Sequence, residues 1–468
     1  MTVQSRFARR WLLATALTLT ATMTTALTGG SGAAQAQSLE QALAQAYANN
    51  PTIGAQRARL RAVDEGVPQA LSGYRPTARV TAGISRSTGE SKFDGGSTGS
   101  EANPKTLGVT ATQPIYDATV APAVRRAERL VEAQRATLIA SEQSVLLAAA
   151  QAYLDIVQNQ AILQLQMNNE QVLRRQLDAA RDRFRVGEYT RTDVSQSESR
   201  LSAAIASKIS AEGTLRASRA TYERLVGAAP GELKAPKPAF RLPKNLDELV
   251  ELARANNPNV LSASYTEAAQ REAVDQQFGR LLPSVNLSAT GSRTYDPGRS
   301  SGVDLNRSDS AQITAQVTIP LYQAGQPEAL VREAKQTANQ ARLQIEETRR
   351  QVTESAVSAW QALQTARASI ESYSAQIKAA QIALEGVRQE AQVGSRTVLD
   401  VLNQEQELLN ARVYLVRAQH DEMVAAFNVL SASGQLTADR LNLPVQKYDP
   451  QANYDKTRGK WLGTSVTE

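Results

Sequence analysis

Two stretches decide how this chain is read: RFRVGEYTRTDVSQSESRLSAAI, Arg183 to Ile205, and EAQVGSRTVLDVLNQEQELLNAR, Glu390 to Arg412. Each starts in a helical pattern and breaks at a Val-Gly step, Val186-Gly187 or Val393-Gly394. Each then supplies a Thr and an Asp and becomes helical again. Glycine just past a helix end accepts the left-handed conformation cheaply. A hydroxyl residue followed by a carboxylate suits the first turn of the next helix. The spacing therefore predicts two helical hairpins with tips at Gly187 and Gly394, returning over Thr192–Val226 and Thr397–Ser433.

The helices that lead into these tips are long. No proline lies between Pro122 and Pro230, or between Pro327 and Pro444. In the second region Ala356, Leu363, Ile370, Ile377 and Leu384 recur every seven residues. Ile345, Val352, Ala359, Ala366, Tyr373, Ala380 and Val387 interleave with them, and Val131, Leu138, Val145 and Ala152 keep the same period in the first region. A sustained heptad means helices wound against partners. A helix from Pro122 to Arg185 would run about 95 Å. Its apolar track is rich in Ala, so it needs neighbours along its whole length.

The tips belong to a larger duplication. Asn50-Pro51 corresponds to Asn257-Pro258, Gly187 to Gly394, Asp193 to Asp400 and Glu198 to Glu405, each 207 residues on. A unit of that length is far beyond the periods of solenoid repeats. Each copy opens with a helical segment, expected over Leu39–Leu71 and Leu246–Leu282. An alternating, β-branched stretch follows, ARVTAGISRS from Ala78 and SVNLSATGSR from Ser284. A Gly/Ser/Asp/Asn-rich loop, SKFDGGSTGSEANPK or DPGRSSGVDLNRSDS, leads to a second such stretch, in which Ile313, Ala315, Val317 and Ile319 share a face. Each copy thus offers one hairpin of roughly 10-residue strands, a length that crosses a bilayer when tilted.

Composition narrows the function. The 468 residues include no cysteine, which excludes disulfides, thiolate metal sites and cysteine nucleophiles. The single histidine, His420, has no second His or Cys to work with as a metal ligand, and a helix-surface or satisfied role suits it better. No glycine-rich phosphate loop or paired catalytic motif occurs, so neither an enzyme nor a cofactor is expected. Arg6, Arg9 and Arg10 precede an apolar Trp11–Leu27 segment and an Ala34-Gln35-Ala36 site, the pattern of a cleaved secretory leader over residues 1–36. Its loss lowers the basic residues from 52 to 49 against 46 acidic ones, a net charge of +3, which gives nucleic-acid binding no support. The expected organisation is a leader (1–36), a first repeat (37–240), a second repeat (241–441) and a polar, irregular tail (442–468).

With these motifs in this order, nearly the whole mature chain resembles the TolC family of outer-membrane efflux and secretion channels. RFRVGEYTRTDV and QVGSRTVLDVLN are similar to that family's two periplasmic tip motifs; the QPIY and IPLY strand endings and the ANNP starts fit as well. The resemblance implies a mixed, mainly α fold. Three copies would each give four strands to a twelve-stranded β-barrel in the outer membrane, continued by an α-helical barrel through the periplasm. It implies passive conduction of drugs or secreted proteins, with a gate at the tip. By motif, Thr192, Asp193, Arg396, Asp400 and Asn403 fall at the constriction, where an Arg–Asp or Arg–Thr tie between neighbouring helices would hold the tip shut. Rings of carboxylates favour cations. Asn403 stands where a second ring carboxylate can occur, and Ala391 where an aromatic can sit. The same two aspartates also suit simple first-turn capping. Arg185, Val186, Gly187, Val393, Gly394 and Ser395 would meet a periplasmic adaptor (membrane fusion) protein, which joins an inner-membrane transporter. A periplasmic coiled-coil scaffold or adaptor without a pore would explain the leader and heptads but leave both hairpins unused.

Overall fold

The computed structural model describes residues 37–236, 241–300 and 303–466. The leader expected over residues 1–36 lies outside the described residues. The first repeat runs α1 (Leu39–Asn49), α2 (Pro51–Asp64), α3 (Gly66–Leu71), β1 (Thr77–Ile84), β2 (Ser87–Phe93), β3 (Gly96–Ala102), β4 (Lys105–Asp117), α4 (Val120–Arg185) and α5 (Arg191–Val226). The second runs α6 (Leu246–Asn256), α7 (Pro258–Gly279), β5 (Ser284–Ser300), β6 (Val303–Thr318), α8 (Gln326–Gln392) and α9 (Val398–Ala432), and a short α10 (Pro450–Arg458) follows.

The opening helix of each repeat is not continuous as expected. Asn50 and Asn257 are extended, and each side-chain oxygen accepts a backbone N–H two residues on, from Thr52 and Asn259, at 2.9 Å. Pro51 and Pro258 then start a new helix, because proline has no N–H to donate within one. Each Asn therefore ends one helix and caps the next.

α4 and α8 have 66 and 67 residues, about 100 Å each. The heptad tracks are where they pack: Val131, Leu138, Val145 and Ala152 are buried on α4, and Val352, Ala356, Ala359, Leu363, Ala366 and Leu384 on α8. Midway along, a larger core gathers Leu43, Ile53, Tyr153, Tyr222 and Phe427. The Tyr153 hydroxyl there lies 2.9 Å from the Gln37 carbonyl and 2.8 Å from that of Lys234.

The tail is irregular apart from α10, but it is packed rather than loose. Leu436, just ahead of it, and Leu443 enter the central core, and the chain then climbs beside α2 and α4. Asn453 donates to Asp64 at 2.7 Å, Arg458 pairs with Glu128 at 2.9 Å, and Arg75 stacks on Trp461 while donating to the Lys460 carbonyl. Burial pushes the Asp64 carboxyl above its ordinary range. These partners are far apart in sequence, so the polar composition of the tail hid a strap that ties the helices to the strands.

The four long strands form one antiparallel sheet in the order β1-β4-β5-β6, so the two repeats join edge to edge through β4 and β5. Its register sorts the residues. Val80, Val109 and Gly291 share one face, as do Ala111, Ala289 and Ile313, and Leu287 with Ala315. The other face carries Thr81, Thr110, Thr112, Ser288, Thr290, Thr314 and Gln316. A bulge at Ile115, between Pro114 and Tyr116, puts Tyr116 opposite Val285 on the apolar side. The strands outgrow the expected length: β5 and β6 have 17 and 16 residues, because their polar ends keep pairing beyond a bulge at Asp296–Gly298. In the first repeat the expected loop is itself a hairpin, β2–β3, turning at Asp94-Gly95, with Gly95 at φ +114°.

Candidate functional site

The far ends of α4/α5 and α8/α9 hold every residue expected at the constriction. Their backbones stop in the same way. Gly187 and Gly394 sit at φ +83° and +80°. Glu188 N donates to the Arg183 carbonyl and Ser395 N to the Glu390 carbonyl, both at 2.9 Å, the six-to-one bond of a left-handed helix stop.

The returning helices start on capping boxes. Asp193 N donates to Thr190 Oγ1 at 3.2 Å, while the Thr190 N–H and hydroxyl donate to Asp193 Oδ2 at 2.9 and 2.7 Å. Thr397 and Asp400 repeat this at 3.2, 3.0 and 2.8 Å. The first helix thus starts at Arg191 and is capped by Thr190, because a capping box needs its hydroxyl three residues ahead of the carboxylate. Thr192 lies one residue inside it, exposed. The Thr397 N–H and hydroxyl hold the Asp400 carboxyl below its usual range, with Arg396 adding to the effect.

Within one chain, Arg396 Nε donates to Glu390 Oε2 at 2.9 Å, across its own turn. That carboxylate, and then Asp400, raise the guanidinium pKa. A tie between the hairpins falls instead on Asn403, whose Oδ1 accepts from Arg200 Nη2 at 2.8 Å, joining α5 to α9. Glu405 adds a second, accepting from Gln176 of α4 at 3.1 Å and pairing with Arg388 of α8. Its counterpart Glu198 pairs with Arg181 at 2.7 Å. Arg181 and Arg388 stand 207 residues apart, as do Glu198 and Glu405, so the repeat offset was a signal for both pairs. No sequence signal pointed to Arg200.

At the tips, Arg183 stacks on Tyr189 and donates to its hydroxyl at 2.6 Å, and Arg185 pairs with Asp182. Val186 and Val393 project into solvent, 72% and 81% exposed, with Gly187, Gly394 and Ser395 beside them. Ala391 accepts from Gly394 N within the turn. Further up, His420 links α9 to α4, its Nε2 2.8 Å from Asp155 and its Nδ1 3.0 Å from Asp421. Burial pulls its pKa down, but the two carboxylates outweigh it and the net shift is upward. Among the described residues, no group of His, Asp and Glu has the arrangement of a metal site, and no helix is long and apolar enough to cross a membrane. The membrane-crossing surface is the sheet, apolar on one face and polar on the other.

A membrane-length sheet set end to end with helical hairpins about 100 Å long defines a channel-tunnel protein. The chain belongs to the outer membrane efflux protein family, which matches residues 42–228 and again 249–435. It is 37% identical over 453 residues to the outer membrane efflux protein BepC of Brucella suis biovar 1 (strain 1330), covering 97% of this chain and 96% of that one. Identity to the outer membrane protein TolC of Escherichia coli (strain K12) is 26% over 427 residues, covering 89% and 86%. The CmeC outer membrane channel of Campylobacter jejuni shares the fold, with a TM-score of 0.76 at 16% identity, over 90% and 89% of the two chains. The protein is a non-enzymatic outer-membrane efflux channel whose helices extend into the periplasm. The apolar face of its sheet leaves a soluble scaffold without footing.

Proposed function

We propose that three copies of this chain close into one conduit, gated at the helical tips. The observation that carries this is the open sheet: β1 and β6, its two edges, have no partner strand among the described residues. Unpaired backbone groups are not tolerated in hydrocarbon, so the edges must meet those of other copies. Three four-stranded sheets give a twelve-stranded barrel, lined by the Thr/Ser face and wide enough for an aqueous lumen. The same closure would cover Leu343 and Ile382 on α8 and Ile209 on α5, apolar residues that one copy leaves exposed.

At the tip, Thr192, Asp193, Arg396, Asp400 and Asn403 would each form a ring of three. The capping boxes occupy one oxygen of each aspartate and leave Oδ1 for a neighbour or a cation. Arg200–Asn403 would brace the inner helices against opening. Val186 and Val393, with Arg185, Gly187, Gly394 and Ser395, form a knob suited to docking a periplasmic adaptor that joins an inner-membrane transporter, so that partners choose the cargo, whether small molecules or a secreted polypeptide. The test is single-channel conductance of detergent-extracted protein in a planar bilayer. Small, stable conductance that widens in Arg200→Ala, Arg396→Ala and Asp400→Ala is expected. Unchanged conductance in all three would remove the gate and leave the conduit; absence of any channel from folded protein would remove the conduit.

A further inference from the structure

The apolar side of the sheet changes character toward its outer end. Starting at the helices, successive rows across β4, β5 and β6 read Tyr116–Val285–Val317, Gln113–Leu287–Ala315, Ala111–Ala289–Ile313 and Val109–Gly291–Ala311. The next row is Leu107–Arg293–Asp309, and the one beyond it Lys105–Tyr295–Arg307. Val285 to Tyr295 spans about 34 Å along the strand, or about 26 Å after a tilt near 40°, which matches the lipid-facing band of such barrels. Three cations therefore stand on the outward face at the outer boundary of that band.

They are not cancelled by their surroundings. Arg293 Nε and Nη2 lie 2.7 and 3.3 Å from the two oxygens of Asp309, and Arg307 Nε lies 3.2 Å from Oδ2. One carboxylate thus aligns two guanidiniums and neutralises one charge. The Lys105 side chain has no hydrogen-bond or ion-pair partner among the described residues, whereas farther out Arg86 pairs with Glu101. Beside Lys105 runs a groove of about 350 Å³ bordered by Ile84, Leu107 and Tyr295. Cations facing lipid are tolerated where they reach headgroups. Guanidiniums suit phosphate oxygens bidentately, and an aromatic anchors at the interface.

We propose that this row binds a phosphorylated lipid of the outer leaflet. Lys105, Arg293 and Arg307 take the headgroup phosphate, and an acyl chain lies in the groove against Ile84 and Leu107. The site depends on the outer-membrane placement of the sheet and is independent of any gate at the tip. Free phosphate would satisfy the cations but not the groove. The test is native mass spectrometry of the full-length, detergent-extracted protein titrated with lipid A or with phosphatidylcholine. Lipid A is expected to bind the more tightly, and binding should weaken about fivefold for each cation removed in Lys105→Gln and in Lys105→Gln/Arg307→Gln. The single variant removes an exposed, unpartnered side chain and so reads the site even if the double variant misfolds. Arg79→Gln, on the polar face, should bind as the wild type does. Equal binding of both lipids, wild-type binding by Lys105→Gln, an equal loss in Arg79→Gln, or displacement of lipid A by inorganic phosphate would each overturn the proposal.

Discussion

At their tips the two helical hairpins can hardly be told apart; midway along they share a buried apolar track but not their polar contacts. Both stop on a left-handed glycine, restart on a Thr–Asp capping box and clip their helices with an Arg–Glu pair, Arg181–Glu198 and Arg388–Glu405. Farther up, Glu170 of α4 pairs with Lys208 at 2.8 Å and Arg174 at 2.5 Å, and these cations, Lys208 first, hold its pKa down. The positions 207 residues on hold Ile377, Leu415 and Gln381. His420 reaches Asp155 from the second hairpin, where the first has Gly213. Their surroundings differ as well. α4 lies among α2, α5, α7 and α9, whereas one side of α8 is uncovered. Ala136 of α4 is 4% exposed, and its counterpart Leu343 is 62% exposed. The tip motifs, the Arg–Glu clips and the buried heptad positions survived duplication, while polar and outward-facing residues diverged with their place in the fold.

The largest effects should come from the shared core. Ile156 and Leu363 correspond across the repeat and are both fully buried. Ile156→Ala and Leu363→Ala should each cost about 2–5 kcal/mol. Thermal unfolding of the detergent-extracted protein reads both, and a silent partner would break the equivalence of the two hairpins.

Smaller and again matched losses are expected at the tips. A Cβ at Gly187 or Gly394 would meet nothing within 4 Å, so the penalty of Gly→Ala is purely conformational. It should be about 1–2 kcal/mol at each site. Thr190→Ala and Thr397→Ala should each lose about 1 kcal/mol of helix-start stability. Hydrogen exchange at the first turns of α5 and α9 would show this, and loss at only one turn would separate the two tips.

The smallest effect is one the first hairpin should lack. His420 has a folded pKa above its ordinary 6.5, so its link to Asp155 stabilises fully below that value and fades as pH rises through the folded one. Wild-type melting should therefore fall relative to His420→Gln as the solution passes from mildly acidic to mildly alkaline. Asp155→Asn should flatten the same slope. Parallel curves for wild type and His420→Gln would mean that the contact carries no pH-dependent energy.

Much of this architecture was legible because its signals are local. Gly187 and Gly394, the heptads and the two alternating stretches each act within a few turns of chain. Sequence and structure part where two local signals compete. Helical periodicity around Asn50-Pro51 and Asn257-Pro258 suggested one helix, but proline chemistry divided it. Polar composition around Asp94-Gly95 suggested a loop, but its turn closes a hairpin. At the site, the positions of Asp193, Arg396, Asp400 and Asn403 were legible. The capping by Asp193 and Asp400 was legible too, but the partners of Arg396 and Asn403 were not, since Asn403 turns to Arg200, 203 residues away.

Repeats, tips, strand faces and the lengths of α4 and α8 follow from the order of residues alone, because each depends on neighbours within a turn, or on a periodicity that repeats along one element. The pairing β1-β4-β5-β6, the strap of the tail along α2 and α4, the Arg200–Asn403 tie and the cation row at the outer edge of the sheet were decided by tertiary structure. Each joins residues that the sequence keeps far apart. Which of many polar partners meet is settled only once the long helices have packed and set the register.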